Sequence, residues 1–410
     1  MTLKVVHVIT HLALGGATET VLTTCRLADP ARFEMSVLSG ETSGDEATLE
    51  ASARQEGIVL HHLPSLKRAI HPPADLRAYR DLVAWLRRVR PDIVHTHGSK
   101  AGFLARMAAR AAGVPIIVHT VHGWGHHERQ HPLVRRAYVA LERRAARGTD
   151  CLIAVAAANR DKGLADGIGR FAQYDIIHSC IDLAAFRDVA VDVPALRASL
   201  GIPADALVVG TIGRLAPQKA PQDFVRMAAL VHAQRPRTHF VWVGGGPLEP
   251  AMRGWIAEAG LGSVVHLLGY RDNVPQLLRV MDVFALTSLW EGLPRVFAQA
   301  MCAALPIVAT QVDGAPEAIM HGENGFLVAP QDMEAMAAHV VSLLDNPALR
   351  HALGQRGRGM ADPKFSERHM VHQIEALYLR LAREKGLLAP DSLLFVSPAD
   401  YSASPPTVTL

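Results

Sequence analysis

Hydrophobic spacing along the chain repeats one unit. A short run of consecutive apolar, β-branched residues is followed by a longer segment whose apolar positions recur every three or four residues. Runs of the first kind fall at 4–9, 34–39, 58–62, 92–97, 115–120, 151–155 and 175–178. The rhythm resumes at 207–212, 239–243, 264–268, 283–286, 307–310 and 326–328. Runs that are continuous rather than alternating mark strands covered on both faces. Their separation by helical segments predicts parallel sheets, hence an α/β fold.

The interval 183–205 carries little strand signal and holds Pro194 and Pro203, so the domain junction is placed there. The expected division is 1–183, a first α/β domain; 184–365, a second; 366–386, a terminal helix; and 387–410, a mobile tail where Pro, Ser and Thr dominate. A length of 410 residues supports two full cores.

Composition changes this picture little. Forty-two basic residues against 39 acidic ones leave a net charge of +3, which argues against a nucleic-acid partner. Cys25, Cys151, Cys180 and Cys302 lie far apart with no metal-type spacing, as in a reduced, cytoplasmic protein. The apolar stretch of a signal peptide is missing near the start, and no run of about 18 apolar residues suggests a membrane span.

Open α/β sheets bind ligands beyond the carboxyl ends of their strands, so each strand-to-helix turn is a candidate site. The strand ending at Ile212 runs into GRLAPQKAP, which carries Arg214 and Lys219. Two cations so placed suit a diphosphate, one as a planar fork and one as a point charge; a solvated basic loop fits the spacing equally well. The strand HFVWV ends in Gly244, Gly245 and Gly246, but the later glycine of a dinucleotide fingerprint is missing, which argues against NAD. A turn that lets backbone approach a nucleotide, or a plain turn, remains. In LWEGLPRVFAQAM, Glu291 and Gly292 precede Leu293 and Pro294, and proline suits a first helical position. The helix start then offers free N–H groups to an anion, with Gln299 one turn further in.

In the first half, Gly15 and Gly16 permit a tight turn before a helix. His95 and His97 share one strand face, and His119, His122, His126 and His127 follow, which invites a metal reading. No acid or cysteine set completes a shell, and the expectation is no metal. Residues 129–147 read as a helix with Arg136, Arg143 and Arg147 on one face and Val134, Tyr138, Leu141 and Ala145 opposite. Packing of that apolar face on the sheet and contact with anionic lipid headgroups are the two readings.

Together the segments GGAT (15–18), VHTHGSKAG (94–102), VHTVHG (118–123), GRLAPQK (213–219), VGGGP (243–247), EGLPRVFAQAM (291–301), DGAPE (313–317) and HGENGFLV (321–328) resemble the retaining glycosyltransferases of the group-1, family-4 type. The resemblance spans residues 3–385. It implies a GT-B fold: two Rossmann-like domains facing across a cleft, with the terminal helix crossing back to the first. It implies transfer of a sugar from a nucleotide-sugar donor, a UDP-sugar by family frequency, to a glycan or lipid-linked acceptor in polysaccharide or glycolipid synthesis, with retention and with no metal or other cofactor. Arg214 and Lys219 would hold the diphosphate, Glu291 the donor sugar, and His122 would face that sugar. Gly15, Gly16, Gly244, Gly245, Gly246, Gly292, Leu293, Arg295 and Gln299 would line the donor site. His97, Ser99 and Lys100 are the acceptor-side candidates. The family's second glutamate is Gln299 here, and Asp313 replaces a usual glycine. The alternatives are a GT-B sugar-nucleotide 2-epimerase and a catalytically silent partner protein. A cytoplasmic location, peripheral at the membrane through residues 129–147, completes the expectation.

Overall fold

The computed structural model describes residues 2–40 and 48–389. Most of the expected tail, 390–410, lies outside them. The expected apolar runs become strands β1 (Leu3–Ile9), β2 (Phe33–Ser39), β3 (Leu60–His62), β4 (Ile93–His97), β5 (Ile116–Val121), β6 (Cys151–Ala154) and β7 (Tyr174–Ile176). The second series is β8 (Val208–Ile212), β9 (His239–Val243), β10 (Val265–Leu267), β11 (Val283–Leu286), β12 (Ile307–Thr310) and β13 (Gly325–Val328). All strand pairings are parallel, giving a seven-stranded sheet of order β3-β2-β1-β4-β5-β6-β7 and a six-stranded sheet of order β10-β9-β8-β11-β12-β13. Each order reverses once, between β1 and β4 and between β8 and β11. At such a switch point the loops diverge and leave a crevice.

Helix Glu367–Glu384 crosses back to the first sheet. Its Met370, Val371, Ile374, Leu377, Tyr378 and Leu381 enter a core with Leu3, Val5, Ile93, Ile116, Val118 and Ile153. At about 1.5–3 kcal/mol for each large apolar side chain buried, this face supplies enough to hold the helix far in sequence from its sheet. Polar contacts fix its register: the Asp29 amide donates to Glu375 at 2.7 Å, and Thr23 to Glu367 at 3.0 Å.

Helix Pro132–Ala146 packs differently from the sequence expectation. Val139, Glu142, Ala145 and Ala146 are its buried residues, while Val134 and Leu141 face solvent at 46% and 45% exposure. The buried face is rotated because Arg106 on the neighbouring helix Ser99–Ala112 is itself buried and takes Glu142 as its ion partner at 2.6 Å. A buried guanidinium demands a charged partner, and that demand outweighs burial of one leucine. Leu133, 66% exposed, joins Val134 and Leu141 on the outer face with Arg136, Arg144 and Arg147.

Among the described residues no helix is long and apolar enough to cross a membrane.

Candidate active site

The two switch points face each other across a cavity of about 800 Å³. The loop after β1 contributes Leu14, Gly15, Gly16 and Glu19, and β5 is followed by His122. From the second domain come Arg214 and Lys219 after β8, Gly244–Gly246 after β9, and Glu291, Leu293, Pro294, Arg295 and Gln299 after β11. Every donor-side residue singled out in the sequence lines this cavity except Gly292, which is buried directly behind it.

Glu291 is held from four directions. Its carboxylate accepts from Lys219 as an ion pair, from Ser288 Oγ at 2.7 Å and from Gln218 Nε2 at 3.2 Å. Its amide donates to Asp313 at 2.6 Å. Asp313 adopts a left-handed backbone (φ 41°), which aspartate tolerates better than most residues. Burial raises its pKa, while the Glu291 amide opposes that shift. Ser288, Gln218 and Asp313 were missed as supports; only the glycine-to-aspartate departure at 313 marked any of them in the sequence.

The glycines after β9 answer a packing need. A Cβ on Gly244 would lie 2.3 Å from the Gly213 carbonyl oxygen, so the turn can press against the loop after β8 only without a side chain. Gly292 does the same between domains, where a Cβ would lie 2.0 Å from the His122 carbonyl oxygen. These contacts set Arg214 and Lys219 beside the glycine turn and His122 beside Glu291's loop.

Helix Arg295–Cys302 begins one residue later than expected, with Pro294 as its cap residue rather than its first helical residue. Arg295 turns its side chain across the gap, pairing with Glu19 and donating from Nε to the Cys180 carbonyl at 2.6 Å. His127 stacks on Trp290 at 4.0 Å between ring centres, and His178 meets Glu317 at 3.0 Å, adding two further domain contacts. Gln299 carries a buried Oε1 with no hydrogen-bond partner among the described residues.

None of the three acceptor-side candidates lines the cavity. Lys100 is pinned to Asp75 at 2.5 Å and to the Ala69 carbonyl, turning it away. Ser99 lies against Gly125, and His97 is fully buried behind His122. A lysine beside an acid on the adjacent helix takes the nearer charge, which its strand-end position alone did not reveal.

His122 reaches the cavity from a buried polar network. Burial, then the nearby Arg295 charge, lowers its pKa to about 4, so the ring is neutral at physiological pH. Its Nε2 lies 3.0 Å from His97 Nδ1. His7, His95 and His97 bring ring nitrogens within 4.8 Å of one another, a set that could hold a metal ion. The sequence reading named His95 and His97 but not His7, which reaches them because β1 and β4 pair with His7 opposite His95.

Two nucleotide-fold domains and, between their switch points, a cavity of about 800 Å³ lined by a glutamate and two cations are the arrangement of a sugar-transfer enzyme of the GT-B class. The 4-like glycosyl transferase domain matches residues 15–180, and the group 1 glycosyl transferase family matches residues 192–360. The chain belongs to this glycosyltransferase family. It is 28% identical over 386 residues to the UDP-Gal:alpha-D-GlcNAc-diphosphoundecaprenol alpha-1,3-galactosyltransferase of Escherichia coli, covering 93% of this chain and 98% of that protein. It is 30% identical over 321 residues to the putative glycosyltransferase EpsD of Bacillus subtilis strain 168, covering 76% of this chain and 83% of that one. The crystal structure of Anabaena HepE with UDP-glucose shares the fold at TM-score 0.79 and 23% identity, covering 92% of this chain and 99% of that one.

Proposed function

We propose that the protein transfers a sugar from a UDP-sugar to a lipid-linked or glycan acceptor, with retained configuration and without a metal ion. The observation that carries this reading is the convergence of Arg214, Lys219, Glu291 and His122 on one cavity. The diphosphate lies against Arg214, Lys219 and the start of helix Arg295–Cys302, and the sugar lies between Glu291 and His122. As the bond from sugar C1 to phosphate oxygen breaks, its electron pair moves onto the phosphate, where the cations and helix start stabilise the growing charge. The acceptor hydroxyl bonds to C1 from the same face and passes its proton to the departing phosphate oxygen. Neutral His122 holds a sugar hydroxyl rather than a charge. UDP and UDP-glucose in the HepE structures and the lipid-linked acceptor in the E. coli relative's name support these choices.

The outer face of helix Pro132–Ala146 supports a membrane-held acceptor. Leu133, Val134 and Leu141 stand exposed among Arg136, Arg144 and Arg147, a pattern suited to insertion beside anionic headgroups.

The test incubates the protein with UDP-sugars and an undecaprenyl-diphosphate-linked sugar, with and without EDTA, and reads the anomeric configuration of the product by NMR. Retained configuration and EDTA-insensitive turnover are expected. Conversion of the sugar nucleotide to its C2 epimer with no acceptor present would instead indicate an epimerase. Co-sedimentation with anionic vesicles is expected to weaken in Leu141→Asp; equal binding would remove the membrane contact.

A further inference from the structure

Behind His122 a single file of hydrogen bonds runs through the first sheet to the terminal helix. His122 Nε2 meets His97 Nδ1 at 3.0 Å, and His97 Nε2 meets His7 Nδ1 at 2.9 Å. His7 Nε2 lies 3.4 Å from the Tyr378 hydroxyl, which lies 2.5 Å from His95 Nδ1. His95 Nε2 ends the file on Thr120 Oγ1 at 2.7 Å. His7, His95, His97 and Tyr378 are inaccessible to solvent.

We propose that this chain fixes His122 as the Nε2–H tautomer, and that Tyr378, His7, His95 and His97 are positioning residues for the transfer reaction. Each bond in the file holds one proton, and each neutral imidazole donates from one nitrogen and accepts at the other. The direction of one bond therefore sets all the others. Tyr378 decides it. A phenol has one proton, and hydroxyl donors make shorter bonds than N–H donors. The 2.5 Å contact is thus Tyr378 donating to His95 Nδ1, and the 3.4 Å contact is His7 Nε2–H donating to Tyr378. His7 Nδ1 is then bare and accepts from His97 Nε2–H; His97 Nδ1 is bare and accepts from His122 Nε2–H. On His122, Nδ1 is left without a proton, an acceptor for a sugar or acceptor hydroxyl in the cavity. Burial lowers the pKa of His7 to about 3 and those of His95 and His97 well below normal, which keeps every ring in the file neutral.

A metal held through His7 Nδ1 and His97 Nε2 would compete with the proton between them. Tetrahedral coordination at bonds of about 2.0–2.1 Å separates ligand nitrogens by about 3.3 Å, wider than the 2.9 Å between His7 and His97. The triad also brings no anionic ligand to offset a buried dication. The arrangement therefore favours protons over a metal ion. It also gives the returning helix a role in the site, since Tyr378 is the only member of the file contributed from beyond the second domain.

The kinetic half of this inference rests on the proposed transfer reaction; the structural half does not. The full chain labelled with 15N-histidine, with His122 assigned by comparison with His122→Gln, reports the tautomer directly by imidazole NMR. A protonated Nε2 and bare Nδ1 on His122 are expected. A protonated Nδ1, or one stoichiometric metal ion retained on purification, overturns the proposal before any variant is needed to fold. In Tyr378→Phe, His122 is expected to become a mixture of tautomers, with kcat down about tenfold and donor KM changed by less than about twofold. An unchanged tautomer in that folded variant also overturns the chain. A protein that shows the expected tautomer but transfers no sugar retains the chain and loses the reaction.

Discussion

In the second domain β8 and β11 are almost wholly apolar, VVGTI and VFAL, and chemistry begins only in the loops beyond them, with Arg214, Lys219 and Glu291. In the first domain the polar groups start inside the strands, with His7 on β1, His95 and His97 on β4 and His119 on β5. The two sheets share a switch-point topology, yet one keeps its candidate site residues at the rim and the other carries linked polar groups into the core. Loop residues can change one at a time. Buried imidazoles linked nitrogen to nitrogen cannot, since each sets the proton of the next.

Acid is the strongest way to separate the two domains. His7, His95, His97, His119 and His122 all have lowered pKa values, caused first by burial. The unfolded chain binds protons on these residues near pH 6.5, whereas the folded chain does so only well below that, at about 4 for His122 and about 3 for His7. Between these limits the unfolded state holds more protons, so stability is full above pH 6.5 and falls as pH drops. Each such group costs up to about 1.4 kcal/mol per pH unit. His239, His266 and His339 in the second domain are shifted in the same direction, but His266 and His339 are only partly buried and none of the three lies on β8 or β11. Hydrogen exchange at pH 5 should therefore release β1, β4 and β5 before β8 and β11. Uniform loss of protection, or a denaturation midpoint unchanged from pH 7.5 to pH 5, would contradict the contrast.

The rim of the second domain should respond to single changes. Lys219→Ala removes one of the two cations proposed to hold the diphosphate and leaves Glu291 without its ion partner. A loss of about 2–3 kcal/mol, roughly a hundredfold in kcat/KM, is expected in steady-state assays. Arg214→Ala, at a more exposed position on the same cavity, should cost roughly tenfold. Full activity in both would show that neither cation meets the diphosphate.

How far each domain could be read from sequence follows the same division. Apolar strand runs and glycine-marked turns are local signals, so all thirteen strands and the loops that line the cavity were legible. Depth is not local. Nothing in VHTHGSK says that His97 points into the core or that Lys100 is captured by Asp75 from another helix. Likewise, nothing in the terminal helix marks Tyr378 as the partner of histidines more than 280 residues away. The apolar stripe of helix Pro132–Ala146 was misjudged for a related reason. A buried arginine on the adjacent helix, not hydrophobicity, decides which face turns in.

Gln299 tests the rim at its finest scale. Its side chain lines the cavity while its Oε1 is buried without a hydrogen-bond partner among the described residues, so a turn of that side chain offers the oxygen to a ribose hydroxyl of the proposed donor. A carboxylate at the same place accepts two such bonds with charge assistance. Gln299→Glu should therefore tighten UDP-sugar binding by about 1 kcal/mol, roughly fivefold in Kd by titration calorimetry. Glu291 lines the same cavity, and repulsion between the two acids reduces that gain, but the Lys219 ion pair screens it. Weaker binding in the variant would mean that the amide's N–H group, which glutamate lacks, makes the contact that matters. The second domain's rim would then be specialised for this one residue rather than adjustable at each position.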